Sequence, residues 1–256
     1  YVGGDNAAII NSVVRMSHAP DDGGAVYIRG NSALIANCTF EMCTSDKNGG
    51  AIFLYGGYCN VIDSSFNGSC AANSGGAIYA TGSNSIVADS IFTNNLAEYH
   101  GGAIYWYNKN GRVNSSIFEN CHANTHGGAI VWNGQDGSVK NSTFIRCNSS
   151  VEGGAIRWIN KTGTVKDCKF VYCHASSTGG AVYWNSANGT VKGSTFRECS
   201  ATGRGGAVYA EGCLDVSDSI FIDNSAKYGD AIYVDSRGST TTVLNCTFIN
   251  NGFEGS

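Results

Sequence analysis

The stretch Gly101-Gly102-Ala103-Ile104-Tyr105-Trp106, followed by Ser116-Ile117-Phe118-Glu119-Asn120-Cys121, is answered 26 residues later by Gly127-Gly128-Ala129-Ile130-Val131-Trp132 and Ser142-Thr143-Phe144-Ile145-Arg146-Cys147. Working outward, the Gly-Gly-Ala start recurs at Gly23, Gly49, Gly75, Gly101, Gly127, Gly153, Gly179 and Gly205, and a ninth start, Gly229-Asp230-Ala231, comes two residues early. Phe stands at 40, 66, 92, 118, 144, 170 and 196, then at 221 and 248, with Val14 holding the register one coil earlier. A fixed period over nearly the whole chain means one supersecondary unit stacked on copies of itself.

Within a period the apolar residues alternate and never fall three and four apart, so the unit is built of strands. The fourth position of the Gly-Gly-Ala strand is always Val or Ile, from Val26 and Ile52 to Val208 and Ile232, and points inward. The next position is mostly Tyr or Phe but admits Arg157, so it faces out. A second strand carries Ile35, Val61, Val87, Val113, Val139, Val165, Val191, Val216 and Val243 inward, followed by a variable solvent position that includes Lys140, Lys166 and Lys192. Three residues before each Phe stands Asn37, Asp63, Asp89, Ser115, Asn141, Asp167, Gly193, Asp218 or Asn245, types that tolerate left-handed backbone and mark a corner. The third strand is Ser-x-Phe, and a second corner follows at Cys43, Ser69, Asn95, Cys121, Cys147, Cys173, Cys199, Asn224 and Asn251. The reading is all-β: a right-handed parallel β-helix of about nine 26-residue, three-strand coils, a rod roughly 45 Å long at about 4.8 Å per coil. Residues 1–22 form an incomplete N-terminal coil and 23–256 the repeats, one domain.

The net charge of −4 over 256 residues, with 16 Lys and Arg against 20 Asp and Glu, leaves no basic footprint for nucleic acid. No apolar run reaches about 18 residues, so no membrane span is expected in this segment. Tyr1-Val2-Gly3-Gly4 does not open a signal peptide, and the chain reads as a segment of something longer, expected to be monomeric.

The pairing of Gly-Gly-Ala-Ile with Phe-x-x-Asn, as in Phe92-Thr93-Asn94-Asn95 and Phe248-Ile249-Asn250-Asn251, resembles the repeats of chlamydial polymorphic outer membrane proteins. The longer form Gly-Gly-Ala-Ile-Tyr-Trp with Ser-x-Phe-x-x-Cys is more similar still to adhesin-like surface proteins of gut methanogenic archaea. The resemblance covers about residues 10 to 251 and implies a right-handed β-helix, export to the extracellular cell surface, and attachment to another cell surface or its glycans. Its motifs are structural positions and carry no cofactor. It also implies an anaerobic habitat, in which free thiols on an exported protein persist.

Trp106, Trp132, Trp158 and Trp184 occupy one repeat position, held elsewhere by Ile28, Leu54, Ala80, Ala210 and Val234. A sugar-stacking ladder is one reading; the parity of the strand favours an inward stack. Their neighbours, among them Tyr79, Tyr105, Tyr183 and Tyr209, then form an exposed aromatic stripe for ligand binding. The eleven Cys are an odd number locked to the repeat, which points to packed thiols; Cys59, Cys70 and Cys213 depart from the ladders and are the candidates for any bridge. His100, His126 and Glu152 precede successive Gly pairs and should stack on one face with His122 nearby, but Asn48, Ser74, Thr178 and Arg204 at the same position give a solvated loop and no metal site is expected. Of the Asn-x-Ser/Thr sequons, Asn160 and Asn188 lie in the loop after the first strand and suit glycosylation best.

A non-catalytic adhesin segment is therefore the leading reading. A polysaccharide lyase or glycoside hydrolase is the rival, and it needs carboxylates converging outside one sheet, whereas Asp63, Asp89, Asp167 and Asp218 sit on the corner ladder. Ice binding would need a flat Thr array; the residue before Phe instead runs Thr39, Ser65, Ile91, Ile117, Thr143, Lys169, Thr195.

Overall fold

The computed structural model describes residues 1–185, 187–235 and 240–252. Every strand pair in it is parallel and joins residues one coil apart, as in Phe118 to Phe144, Val139 to Val165 and Ile104 to Ile130. The β-solenoid inferred from the period is thus the fold found, with no helix among the described residues. Residues 8–19 supply three strands before the first Gly pair, and Val2 bridges to Ile28.

Each coil has four strands rather than three. The first sheet runs from Val26–Ile28 to Ile232–Val234, the second from Ala8–Ile10 to Thr242–Leu244, and the third from Val13–Arg15 to Thr247–Ile249. The fourth, from His18–Ala19 to Ser225–Tyr228, is made mostly of two-residue strands such as Cys70–Ala71 and Leu96–Ala97. The three strands expected per coil omit this one, whose small residues have little β-propensity; coil-to-coil register forms the strand nonetheless.

Four sheets need four corners, and each is turned by left-handed backbone. Asn37 (φ 51°), Asp63 (49°) and Asp89 (50°) open the corner before the third strand, where they were expected. The corner before the fourth sheet turns one residue earlier than expected, at Met42 (50°), Asn94 (57°), Arg146 (50°) and Tyr172 (56°). The other two lie at Ser32, Tyr58, Asn84 and their equivalents, and at the first Gly of each pair, for example Gly101 (65°). The second Gly is required by proximity: a Cβ on Gly102 would lie 2.1 Å from the Gly128 carbonyl oxygen of the next coil.

Corners leave backbone N–H groups that strand pairing does not reach, and buried ladders take them up. The Ser90 amide donates to Ser116 Oγ (3.3 Å) and the Ser116 amide to Ser142 Oγ (3.2 Å), while Ser116 Oγ donates to the Asn114 carbonyl at 2.8 Å. At the following corner Asn95 Oδ1 accepts from the Ser69 amide at 3.0 Å and its Nδ2 donates to the Phe66 carbonyl at 3.0 Å. Cys121, Cys147, Cys173 and Cys199 replace Asn in that column, fully buried, the first three with Sγ 3.5–3.7 Å from a carbonyl of the preceding coil.

Side chains one coil apart stack. Phe66, Phe92, Phe118 and Phe144 have ring centroids 4.8 Å apart and planes within 5°. Burying such a ring contributes about 1.5–3 kcal/mol. Phe248 continues the row at 5.0 Å from Phe221 but is half exposed in the last coil described. All four Trp are fully buried, in a stack with spacings of 4.8–5.0 Å. Their indole N–H groups have no hydrogen-bond partner, a cost set against the area they bury.

Each Trp dictates a Gly five residues later. A Cβ at Gly137 would lie 2.2 Å from the Trp132 ring, and Gly111, Gly163 and Gly189 meet their own Trp in the same way. Where the Trp position holds the smaller Ile28 or Leu54, the partner position admits a side chain, Ala33 or Cys59, so the two positions share one volume. Cys59 therefore belongs to a packing column. All eleven cysteines are unpaired thiols, the bridge candidates Cys59, Cys70 and Cys213 included.

Two outcomes follow from this packing. Gly137→Ala should destabilise the protein by about 2 kcal/mol or more through overpacking, and that cost should largely vanish in a Trp132→Ala background; additive losses in a denaturant double-mutant cycle would contradict the shared volume. Burial pushes the Cys147 and Cys199 thiols far above the ordinary value of 9.0 and Cys168 to about 12. These thiols stay protonated when folded, so their contribution to stability is full below about pH 9 and is lost as the pH rises toward 12. Because Cys121, Cys147, Cys173 and Cys199 are fully buried, alkylation at pH 8 read by mass spectrometry should spare them until the chain unfolds, whereas early labelling at Cys147 would refute the buried ladder.

Candidate functional site

The outward positions of the first sheet form a lateral row. Tyr27, Phe53, Tyr79 and Tyr105 stack in order with centroids 4.9, 5.2 and 4.9 Å apart. Val131 and Arg157 interrupt the row, and Tyr183, Tyr209 and Tyr233 resume it at 5.1 and 5.7 Å. The guanidinium of Arg157 lies 5.5 Å from the Tyr183 ring centroid, close enough for cation–π attraction.

The stripe is less open than its outward direction suggests. Tyr183 and Tyr209 are each 5% exposed and Val131 is fully covered, while Tyr79 and Tyr105 are half-buried. Flanking turns rise beside the rings and engage their hydroxyls: Tyr183 donates to Glu211 (2.7 Å), Tyr209 to Asp235 (3.1 Å), and Asn133 Nδ2 donates to the Tyr105 hydroxyl (3.3 Å). Burial pushes the phenols of Tyr79 and Tyr209 up to about 12. Of the four tyrosines expected to bind, only Tyr79 and Tyr105 offer ring area to a ligand. Trp106, Trp132, Trp158 and Trp184, also candidates for sugar stacking, are corrected outright: strand alternation turns them into the core, beyond a ligand's reach.

The residues before the Gly pairs stack as expected. Ser74, His100, His126, Glu152, Thr178 and Arg204 bridge in parallel from coil to coil, and the His100 and His126 rings lie 5.2 Å apart. His122 stands apart on the fourth sheet, against Asn124 at 2.9 Å. Glu152 is committed to Arg157, 2.8 Å from Nε. His126 Nδ1 approaches the same carboxylate at 3.5 Å, but burial, then Arg157 and His100, lower its pKa from 6.5 to about 4, so at neutral pH the contact is not an ion pair. No group of three His, Cys, Asp or Glu suited to a metal occurs among the described residues. Asn160, a preferred sequon, spends its amide on the Asn133 carbonyl (3.0 Å).

Beside the N-terminal half of the row, sequence reasoning missed a cleft. Tyr55, Tyr58 and Tyr107 are 57%, 62% and 54% exposed and line an open depression of about 580 Å³ with Asn31, Gly57, Thr81, Gly82, Ser83 and Asn108. A signal was available in the corner column. Tyr58 stands among Asn6, Ser32, Asn84, Asn110, Asp136, Thr162 and Asn188, all with positive φ, and it alone is a bulky ring there, at φ 58°. Left-handed backbone costs a bulky residue about 1–2 kcal/mol, which no burial of Tyr58 offsets. A second cleft, on the second sheet, is polar and charged, lined by Arg112, Asp136, Lys140, Thr162 and Thr164 among others.

The profile of the family described as right handed beta helix region matches residues 23–174 and 123–256. A solved structure of QnrB1, a plasmid-mediated fluoroquinolone resistance protein, aligns with 91% of this chain and 91% of its own at 12% identity and a TM-score of 0.32, too low to carry any argument. No curated protein matches the chain.

His126 supplies an acid-side test. Its folded pKa lies below the unfolded one, so its contribution to stability is full above about pH 6.5 and is lost as the pH falls toward 4. Wild type should lose thermal stability more steeply over that interval than His126→Asn, the residue type found at Asn48 in the same column; equal slopes would show His126 to be solvated.

Proposed function

We propose that this chain, which belongs to the right-handed β-helix family, is a non-catalytic segment of an extracellular cell-surface adhesin that attaches laterally to a partner cell or its glycans. One observation carries the reading: the partly open Tyr27, Tyr79 and Tyr105, stacked through the covered Phe53, and the exposed Tyr55, Tyr58 and Tyr107 gather on one side of the rod within four coils. Interior packing does not require the exposed three. Aromatic faces give large contact area at small entropic cost. Single contacts of this kind are weak, and attachment comes from many copies per cell acting together.

The test is attachment of protein-coated beads to candidate partner cells. Tyr79→Ser with Tyr105→Ser should abolish it without changing the far-UV circular dichroism, and Tyr183→Ser with Tyr209→Ser should leave it within about twofold, because those rings are covered. The opposite pattern would move the site to the C-terminal half. Reproducible cleavage of pectin, alginate or xylan, lost in Glu152→Gln, would replace this reading with the enzymatic one.

A further inference from the structure

The cleft of Tyr55, Tyr58 and Tyr107 gives the lateral surface a defined subsite. Tyr55, Thr81 and Tyr107 are consecutive members of one column, since the Tyr55 amide donates to the Ile28 carbonyl, that of Thr81 to Leu54 and that of Tyr107 to Ala80, each at 2.8 Å. The two tyrosines are therefore two coils, about 10 Å, apart. Between them stand only Thr81 and Gly82, where a Cβ would lie 1.8 Å from the Gly56 carbonyl oxygen and is excluded. A gap one coil deep with an aromatic side chain at either end, about 5 Å from its midpoint to each, has room for one ring.

The lining chooses the ring. Thr81, Ser83 and Asn108 offer neutral donors and acceptors, Asn31 Oδ1 accepts from the Gly57 amide at 2.9 Å, and no charged side chain lines the cleft. Asn108 uses its carbonyl oxygen on the Lys109 amide at 2.9 Å, so its amide group is turned to other partners. Thr81 Oγ1 donates to the Leu54 carbonyl at 3.3 Å and keeps its acceptor capacity. Aromatic walls with amide and hydroxyl edges match a pyranose, whose faces carry C–H bonds and whose rim carries hydroxyls. A nucleotide or a uronate would need a cation here. The charged cleft of Arg112 and Lys140 on the second sheet is the contrast.

Tyr58 adds the independent observation. An exposed aromatic ring stands here in left-handed backbone where seven other coils place Asn, Ser, Asp or Thr, and, unlike the exposed Tyr172 on another corner, it lines a cleft with two further exposed tyrosines. We propose that Tyr55, Tyr58 and Tyr107 form the binding subsite for one pyranose unit of a neutral, uncharged oligosaccharide, clasped between Tyr55 and Tyr107 over Thr81 and Gly82. This rests on the reading of the rod as an attachment protein and names what it grips.

The experiment titrates the intact chain with neutral hexasaccharides of glucose, mannose, xylose and N-acetylglucosamine, followed by saturation-transfer and chemical-shift NMR, in parallel with the bead assay on cells. At least one hexasaccharide should bind wild type in the micromolar to millimolar range, and Tyr55→Ser with Tyr107→Ser should weaken it at least tenfold. Tyr58→Asn should weaken binding and raise the melting temperature together. Tyr172→Asn, which relieves the same backbone conformation at an exposed tyrosine on another corner, should raise the melting temperature and leave binding unchanged. Absence of binding by all four sugars, or equal binding by the Tyr55 and Tyr107 double variant, overturns the subsite. Cell attachment without saccharide binding, or capture of a protein partner lost in the same variants, overturns it while leaving the adhesion reading standing. Saccharide binding at the cleft without cell attachment upholds the subsite and counts against adhesion.

Discussion

Everything in this molecule depends on backbone hydrogen bonding between one coil and the next in unbroken parallel register. A coil cannot satisfy its own N–H and C=O groups; its strands pair only with the equivalent strands one coil away. That constraint holds the coils at strand spacing, and strand spacing makes every repeat position a column. Apolar columns become the Phe and Trp stacks, and polar columns become ladders such as Ser90, Ser116 and Ser142. The second Gly of each pair is the steric counterpart of the same constraint, since the neighbouring coil's carbonyl occupies the place of its Cβ.

Columns also explain why function here is a matter of exceptions. A residue that obeys its column is accounted for by packing, corner geometry or ladder hydrogen bonds. Tyr58 departs from its column in residue type, a bulky ring on the left-handed backbone that other coils give to Asn, Ser, Asp or Thr, and Tyr55 and Tyr107 place large exposed rings where Thr81 and Asn133 stand in adjacent coils. The covered rings Tyr183 and Tyr209 belong to the rod itself, with hydroxyls tied to Glu211 and Asp235. Beside the first-sheet row, exposed aromatic surface is therefore gathered around Tyr55, Tyr58 and Tyr107.

The fold was legible because the period, the Val and Ile columns and the Phe row are all consequences of stacking. Parity and uniformly apolar substituents turned the Trp column inward, and the charge of Arg157 marked its column as outward. What escaped has physical causes. The fourth strand is too short and its residues too indifferent to β structure to announce themselves, and the corner column that holds Asn94 and Asn120 also holds Met42, Arg146 and Tyr172, types that do not favour left-handed backbone. Orientation was readable but coverage was not, because the side chains that cover Tyr183 and Tyr209 come from turns whose path no local pattern dictates. The Tyr55, Tyr58 and Tyr107 cleft was hidden for the same reason, although Tyr58 in a column of Asn, Ser, Asp and Thr was visible as an anomaly.

The register can be tested through its most sensitive column. A slip of one residue would turn every side chain of a strand to the opposite face, and all four tryptophans occupy a single inward position. Tryptophan fluorescence of the native protein therefore reports on it without substitution. In-register coils predict blue-shifted emission that acrylamide barely quenches until the chain unfolds, whereas red-shifted, readily quenched emission from the folded protein would place the indoles in solvent and contradict the stacked solenoid.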